Sequence, residues 1–558
     1  MKFTTIEKTW RRRPVLMLFL AFLTGGFSVQ YFSAEITAED ARSSAKIMGL
    51  EFTDAEIDSL LPALEGFRED YISLRKKELP NSVSPALYFN PLPPDFVTPT
   101  EQNAVSFSDP GEVKLPADRS ELAFYTVRQL AALLKSQQIT STELTKFFIE
   151  RLKAYDPTLH CVITITEEKA LQQAAKADAE IQAGNYRGLL HGIPYGAKDL
   201  LAAEGYKTTW GAMPYKEQQL DYDATVVQKL EEAGAVLTAK LTMGALAMGD
   251  VWYGERTRNP WDPESGSSGS SAGSASAVAA GLLPFAIGTE TLGSIVSPST
   301  VCGTTGLRPT YGRVSRHGAM ALSWSMDKIG PICRSAEDCA VVFQAIAGPD
   351  GKDLSVTDYP FNYQADYPAN RKLKVGYDQA AFERDYGFKE QDQASLKVLE
   401  DLGYELVPIE LPEMPDIGFL LSVEAAAAFD ELTRSGQDEL LVRQTRNAWP
   451  NLFRRARFVP AVEYIQANRV RTQLVADMAK VFEEVDLYVH PSWASRSLRI
   501  TNYTGHPCVV LPNGFQENGR PTSISFTGKL YDEGTIVGVA QAYQNATEFE
   551  DQHPALKD

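Results

Sequence analysis

The 558-residue chain has only five cysteines, Cys161, Cys302, Cys333, Cys339 and Cys508, and no two of them form a Cys-x-x-Cys pair. Zinc-site and dithiol redox spacings are therefore missing, and the spacing leaves open whether any two are bridged. The six histidines stand singly, which gives no metal-ligand cluster. Positive charge is also scarce: 54 Lys and Arg against 72 Asp and Glu leave a net charge of −18. Such a surface repels phosphate backbones, so nucleic acid is a disfavoured partner. Neither a nucleotide-binding fingerprint nor an internal repeat is visible. The apolar stretch from Val15 to Phe27 falls short of the roughly 20 residues that span a bilayer, which makes an uncleaved membrane anchor the second choice for it.

What is present at the N-terminus is an export pattern. Basic Lys2, Lys8 and Arg11-Arg12-Arg13 precede the run Val15–Leu23, and small residues Gly25, Gly26 and Ser28 follow. This predicts a signal peptide over 1–28, a secreted or periplasmic protein, and no stable membrane insertion after cleavage. Pro14, directly after the arginines, fits a twin-arginine signal poorly.

Hydrophobic residues make up 44% and charged residues 23%, ordinary for one large globular unit with an appendage. Residues 29–78 read as a helical extension, opened by Thr37-x-x-Asp40 and the capping box Thr53-x-x-Glu56. Eight prolines from Pro80 to Pro116 make 79–120 a proline-rich arm or linker. The catalytic domain is expected over 121–558. Thr126 caps a helix over Val127–Lys135, and Thr140-x-x-Glu143 opens another that stops at Asp156-Pro157. A helical stretch at 224–233, Gly234 and the strand Ala235–Thr238 add the α/β alternation of a sheet covered by helices. Leucine and tryptophan positions near 416–453 read as a core helix, with the lining of a substrate entrance as the alternative.

Two glycine loops carry the chemistry. Ser265–Ser274 reads Ser-Gly-Ser-Ser-Gly-Ser-Ser-Ala-Gly-Ser, and Gly288–Ser294 reads Gly-Thr-Glu-Thr-Leu-Gly-Ser. A Gly/Ser run is ordinarily a flexible linker. Here it feeds a run of small helix formers, Ala275–Pro284, which makes it scaffold: the helix N-terminus presents backbone N–H groups and its small side chains permit close packing.

Taken with Gly192-Ile-Pro-Tyr-Gly-Ala-Lys-Asp199, Thr257-Arg-Asn-Pro-Trp-Asp-Pro263 and Cys302-Gly-Thr-Thr-Gly-Leu-Arg-Pro-Thr-Tyr-Gly-Arg-Val-Ser315, these loops closely resemble the amidase signature family. The resemblance runs from about residue 121 to the C-terminus, where Thr501-Asn-x-x-Gly-x-Pro507 and Val510–Gly514 look like its closing segments. It implies an α/β fold with a mixed twisted central sheet covered by helices on both faces. It also implies hydrolysis of a linear carboxylic amide, with some ester hydrolysis, and no metal or organic cofactor.

The resemblance further implies a triad of Ser294 as nucleophile, Ser270 as relay and Lys198 as base. Anchoring on Val278-Ala-Ala-Gly281 places Ser270 24 residues before Ser294, the family's spacing. The register on Ser267 and Ser268 would need an insertion of three residues. A serine hydroxyl is a weak nucleophile until a base takes its proton, and Lys198 serves only when neutral, so its pKa must fall by roughly 2–3 from its ordinary value near 10.4. The family's relay serine follows a cis bond, here Gly269–Ser270, and Ser271 is expected to brace the relay. Backbone N–H groups of Thr291, Leu292, Gly293 and Ser294 are the expected oxyanion hole. Met248, Thr289 and Leu292 are named as substrate-pocket residues.

The family usually reads Asp-Thr-Gly-Gly-Ser-Ile-Arg where this chain has Glu290–Val296. Leu292 replaces a glycine, so either its backbone keeps a leucine-compatible φ or the turn is strained, and its side chain is expected to favour slender acyl groups. The acid and arginine thought to pair in relatives have changed together, to Glu290 and Val296, as though compensated. Two other readings stand beside this one. One is a protein like the A subunit of a glutamine-dependent tRNA amidotransferase; the other is a catalytically impaired binding protein. A histidine triad through His317 or His191 lacks an orienting acid identifiable from sequence.

Overall fold

The structure is a computed structural model that describes residues 35–366 and 372–556; the predicted signal peptide lies outside them. The chain divides into two compact units, 1–78 and 79–558. In the first, Thr37 caps the helix Ala38–Ile47 and Thr53 caps Asp54–Leu74, each closing its predicted box with Asp40 or Glu56. Among the described residues no helix is long and apolar enough to cross a membrane.

The second unit is built on a sheet. Its strands are β1 (Val162–Ile165), β2 (Pro194–Lys198), β3 (Val236–Leu241), β4 (Arg258–Asn259), β5 (Asp262–Gly266), β6 (Phe285–Glu290), β7 (Thr305–Arg308), β8 (Lys328–Cys333), β9 (Lys374–Asp378), β10 (Glu405–Ile409), β11 (Leu487–Pro491), β12 (Cys508–Phe515) and β13 (Pro521–Gly528). Eleven of them form one sheet in the order β1-β3-β2-β6-β8-β7-β12-β13-β11-β9-β10, with β4 and β5 as a separate pair. The sheet is mixed: β2 runs parallel to β3 and β6, whereas β6, β8, β7, β12 and β13 alternate antiparallel. Helices flank it. Every residue of β2, β3, β6, β7, β8, β11 and β13 is buried, as expected of strands covered on both faces.

The helix Ala272–Ala279 is buried along its whole length. Only small side chains fit: a Cβ on Gly273 would lie 2.3 Å from the Cys161 carbonyl oxygen. The helix opened by Thr140 runs past the expected stop, through Pro157 to Leu159. Asp156 accepts from the N–H groups of Cys161 and Val162 at 2.8 Å, and His160 at φ 47° ends the helix. All five cysteines are buried free thiols. Residues 79–116 lie on the second unit, with Ser106 paired to Gln364 and Ser108 bonded to Glu337.

Candidate active site

β2 ends on Lys198, and the Gly/Ser loop brings Ser270 and Ser271 to it. The Lys198 Nζ lies 2.8 Å from Ser270 Oγ, 3.1 Å from Ser271 Oγ, 2.8 Å from Thr289 Oγ1 and 3.3 Å from the Thr289 carbonyl oxygen. The lysine is fully buried, and among the described residues no carboxylate stands within ion-pair distance of it. Burial among hydroxyls and a carbonyl brings its pKa down to about 7, against a weaker opposing pull from Asp327 and Glu290.

The Gly269–Ser270 peptide is cis. A Cβ on Gly269 would stand 1.9 Å from the Gly249 carbonyl oxygen, so glycine is what lets the loop lie against the Met248–Gly249 backbone. The hydroxyls of Ser267 and Ser268 turn elsewhere, to the Ser268 carbonyl and to Ser297. Ser271 begins the following helix without capping it. Instead its hydroxyl donates to the Thr289 carbonyl and accepts from the Thr289 N–H, each at 3.1 Å. Its own N–H donates to the Ser294 carbonyl at 3.2 Å, which joins the two glycine loops. The hydrogen bonds of this cluster stop short of the Ser294 hydroxyl, on a residue that remains 7% exposed.

The turn from β6 into the helix Val296–Cys302 is where sequence reasoning fell short. Glu290 Oε2 accepts the N–H groups of Ile295 at 2.8 Å and Val296 at 3.0 Å. Its other oxygen takes Arg308 at 2.7 Å and the Asn502 amide at 2.7 Å. Burial alone would push this carboxyl up, but the Arg308 guanidinium and these donors hold it at about 2. The acid and its partner have therefore not been lost together. Glu290 keeps a buried cation, supplied by Arg308 at the end of β7, while Val296 packs with Cys508 and Val510. Arg308 also reaches Thr501 Oγ1 and the His506 carbonyl, so the first closing motif, Thr501–Pro507, serves this ion pair.

With Ile295 and Val296 engaged by Glu290, the N–H groups of Thr291, Leu292, Gly293 and Ser294 donate to no protein acceptor among the described residues. Gly293 has φ +88°, a conformation that suits glycine. Leu292 is absent from the positive-φ residues, so the leucine-compatible alternative holds. Its side chain packs against a second core with Met326, Ile500 and Tyr503.

The three expected pocket residues separate. Thr289 bonds Lys198 and also lines a cavity of about 80 Å³ together with Thr291 and Ala247. Met248 and Leu292 do not line that cavity; Met248 packs against the main core. Trp449, from the segment read as core, is buried and donates to the Leu246 carbonyl at 2.9 Å. His191 Nε2 lies 3.0 Å from Glu180 Oε2, and His317 stacks on Tyr222; among the described residues neither bonds a residue of the lysine cluster. The sequence also concealed Asp327, which accepts from Thr291 Oγ1 at 2.6 Å.

The family model Amidase matches residues 143–502. The A subunit of glutamyl-tRNA(Gln) amidotransferase from Roseiflexus castenholzii is 34% identical, the match covering 78% of this chain and 98% of that protein. Among solved structures, native peptide amidase from Stenotrophomonas maltophilia superposes with a TM-score of 0.68 at 29% identity, covering 76% of this chain and 97% of its own. An amidase family protein from Bacillus anthracis gives 0.70 at 26% identity, covering 78% and 93%.

Proposed function

The chain belongs to the amidase family and is an amide-hydrolysing enzyme, and from that premise we propose that it cleaves a linear carboxylic amide through an acyl-enzyme on Ser294. The observation that carries this reading is the buried Lys198 with Ser270 Oγ 2.8 Å away and a pKa near 7. The arrangement supplies a neutral base with its lone pair aimed at a hydroxyl. The Thr289 carbonyl can only accept, and Ser271 gives its own proton to that carbonyl. Those two acceptors hold the two N–H bonds of a neutral amine, which leaves the lone pair to the hydroxyls of Ser270 and Thr289, each 2.8 Å away; in the proposed mechanism Ser270 is the one that uses it.

In the proposed sequence Ser270 passes its proton to Lys198 as it takes the proton of Ser294, and Ser294 Oγ attacks the amide carbon. The developing oxyanion is met by the N–H groups of residues 291–294, which have no competing acceptor among the described residues. The proton then returns through Ser270 to the departing amine, and water releases the acyl group by the same path. The test is mass spectrometry of protein mixed with activated amides and esters. An acyl adduct on Ser294 in the native protein and none in Ser294→Ala is expected; an adduct elsewhere, or none with turnover intact, refutes the mechanism.

A second reading draws on the 34% identity to the amidotransferase protein: release of ammonia from glutamine for a partner. Glutaminase activity that rises on adding such a partner would favour it. The first reading also carries export to the periplasm or medium, resting on the basic and apolar pattern of residues 1–28. N-terminal sequencing of the protein recovered from each cell fraction tests that part.

A further inference from the structure

The cavity beside Thr289 and Thr291 has a wall that does not come from the family's matched region. Asn81, Ser82 and Ser84 of the proline-rich arm line it, whereas the family match begins at residue 143. We infer that the arm is a selectivity strap: it holds the loop 316–327 against this cavity and restricts the amides admitted there to those with a short side group. The inference rests on the amidase reading above and adds to it the element that sets substrate size.

Two anchors hold the loop. Asn81 grips Ala321 at both ends of its side-chain amide, Nδ2 donating to the Ala321 carbonyl at 2.8 Å and Oδ1 accepting the Ala321 N–H at 2.7 Å. That is the pairing a neighbouring strand would give, made by one side chain. Farther along, Phe89 packs edge-on against Tyr311 at 5.2 Å and lies under the Arg471 guanidinium at 3.5 Å. Tyr311 donates to the Trp324 carbonyl, and Arg471 to the Ser325 carbonyl and hydroxyl. Both anchors therefore close on the same loop.

From Ala321 the path to the site is short. The next two N–H groups, of Leu322 and Ser323, donate to Asp327 Oδ2 at 2.8 and 2.9 Å. Asp327 Oδ1 accepts from Thr291 Oγ1 at 2.6 Å, at the start of the turn that carries Ser294. A loop released from Asn81 would widen a cavity of about 80 Å³ and loosen the support of Thr291. Asn81 touches none of the lysine cluster, so it is a positioning residue.

The test uses the full chain with Asn81→Ala, and with Asn81→Asp, which keeps the acceptor for the Ala321 N–H but loses the donor to its carbonyl. kcat and KM are measured for p-nitroanilides of acetic to decanoic acid and for acetamides of lengthening amines, and hydrogen exchange is followed over 316–327. Asn81→Ala is expected to raise the long-to-short ratio of kcat/KM about tenfold in one series, chiefly through KM, with faster exchange in the loop and a smaller effect for Asn81→Asp. An unchanged ratio in both series, or unchanged exchange, overturns the strap. Should the native protein turn over neither series, the amidase mechanism has failed. The long-to-short ratio is then read from binding by fluorescence quenching, where a rise in Asn81→Ala supports the strap and an unchanged ratio overturns it.

Discussion

Two lysines on adjacent strands, the second and third from one edge of this sheet, have opposite surroundings. Lys198 on β2 and Lys240 on β3 are both fully buried, on adjacent parallel strands where Ala197 faces Lys240 and Lys198 faces Leu241. Lys240 meets a carboxylate, Asp199, at 2.8 Å, and its remaining contacts are the Lys207 carbonyl and Thr208 Oγ1. Asp199 is in turn satisfied by the N–H and hydroxyl of Thr209. Lys198 meets three hydroxyls and a carbonyl and no acid. Burial alone does not make a base, because a buried lysine with an acid beside it is an ion pair that fixes the fold. A buried lysine among hydroxyls can give up its proton near neutrality, and only that one can run proton transfer.

The contrast is broken most severely by removing the base. Lys198→Ala should lower kcat on a good amide substrate by about 10³-fold or more while the thermal melting temperature holds, checked by steady-state kinetics and calorimetry. Next in size, Lys240→Met leaves Asp199 buried without its cation and should cost about 3–5 kcal/mol of stability, read from urea unfolding; Asp199→Asn with Lys240→Met should recover part of it. Arg308→Met, which strands Glu290 in the same way, belongs to the same class of loss. Because Glu290 is held at about 2, below its ordinary value, its contribution is present above roughly pH 4.3 and fades as pH falls towards 2. The gap in stability between native protein and Arg308→Met should narrow over that window.

Thr289→Asp would give Lys198 the partner that Lys240 has. An acid beside the amine favours its charged form, so the rate at pH 7 should fall by about tenfold or more and recover as pH rises towards 9. In the native protein kcat/KM should climb as pH rises through about 7, where Lys198 loses its proton. The smallest effect is expected from Leu292→Gly, about 1 kcal/mol of stability from its half-buried packing, with a shift towards bulkier acyl groups; an unchanged acyl preference would show that Leu292 only packs.

The parts of the site written in contiguous motifs were legible: Lys198, the cis peptide at Gly269–Ser270, the helix of small residues behind it, and the turn at 291–294. So was a helix-flanked α/β sheet, since capping boxes and buried apolar runs are local signals. Partners set by strand pairing were not. Arg308 is 18 residues from Glu290, and Asn502 is 212 away; no spacing rule connects them until β6, β8, β7 and β12 are laid side by side. Asp327 was hidden for the same reason. Thr289, expected only as a pocket residue, lines the cavity and also completes the lysine's shell with its hydroxyl. The helix that outran Pro157 shows the reverse case, a local stop signal overruled because the Asp156 carboxylate takes the N–H groups of the residues that follow.

The strand order bears on how the protein comes into being. β13, residues 521–528, is wedged between β12 and β11, and Thr501, Asn502 and the His506 carbonyl complete the surroundings of Glu290 and Arg308. A nascent chain halted between residues 515 and 521 holds β11 and β12 without the strand that joins their edges. Lys198, Ser270 and Ser294 are all synthesised by residue 294, but the sheet that positions them is closed from the far end of the chain. Such pairing across long separations folds slowly and late. Hydrolytic capacity is therefore expected only after β13 has been made and paired.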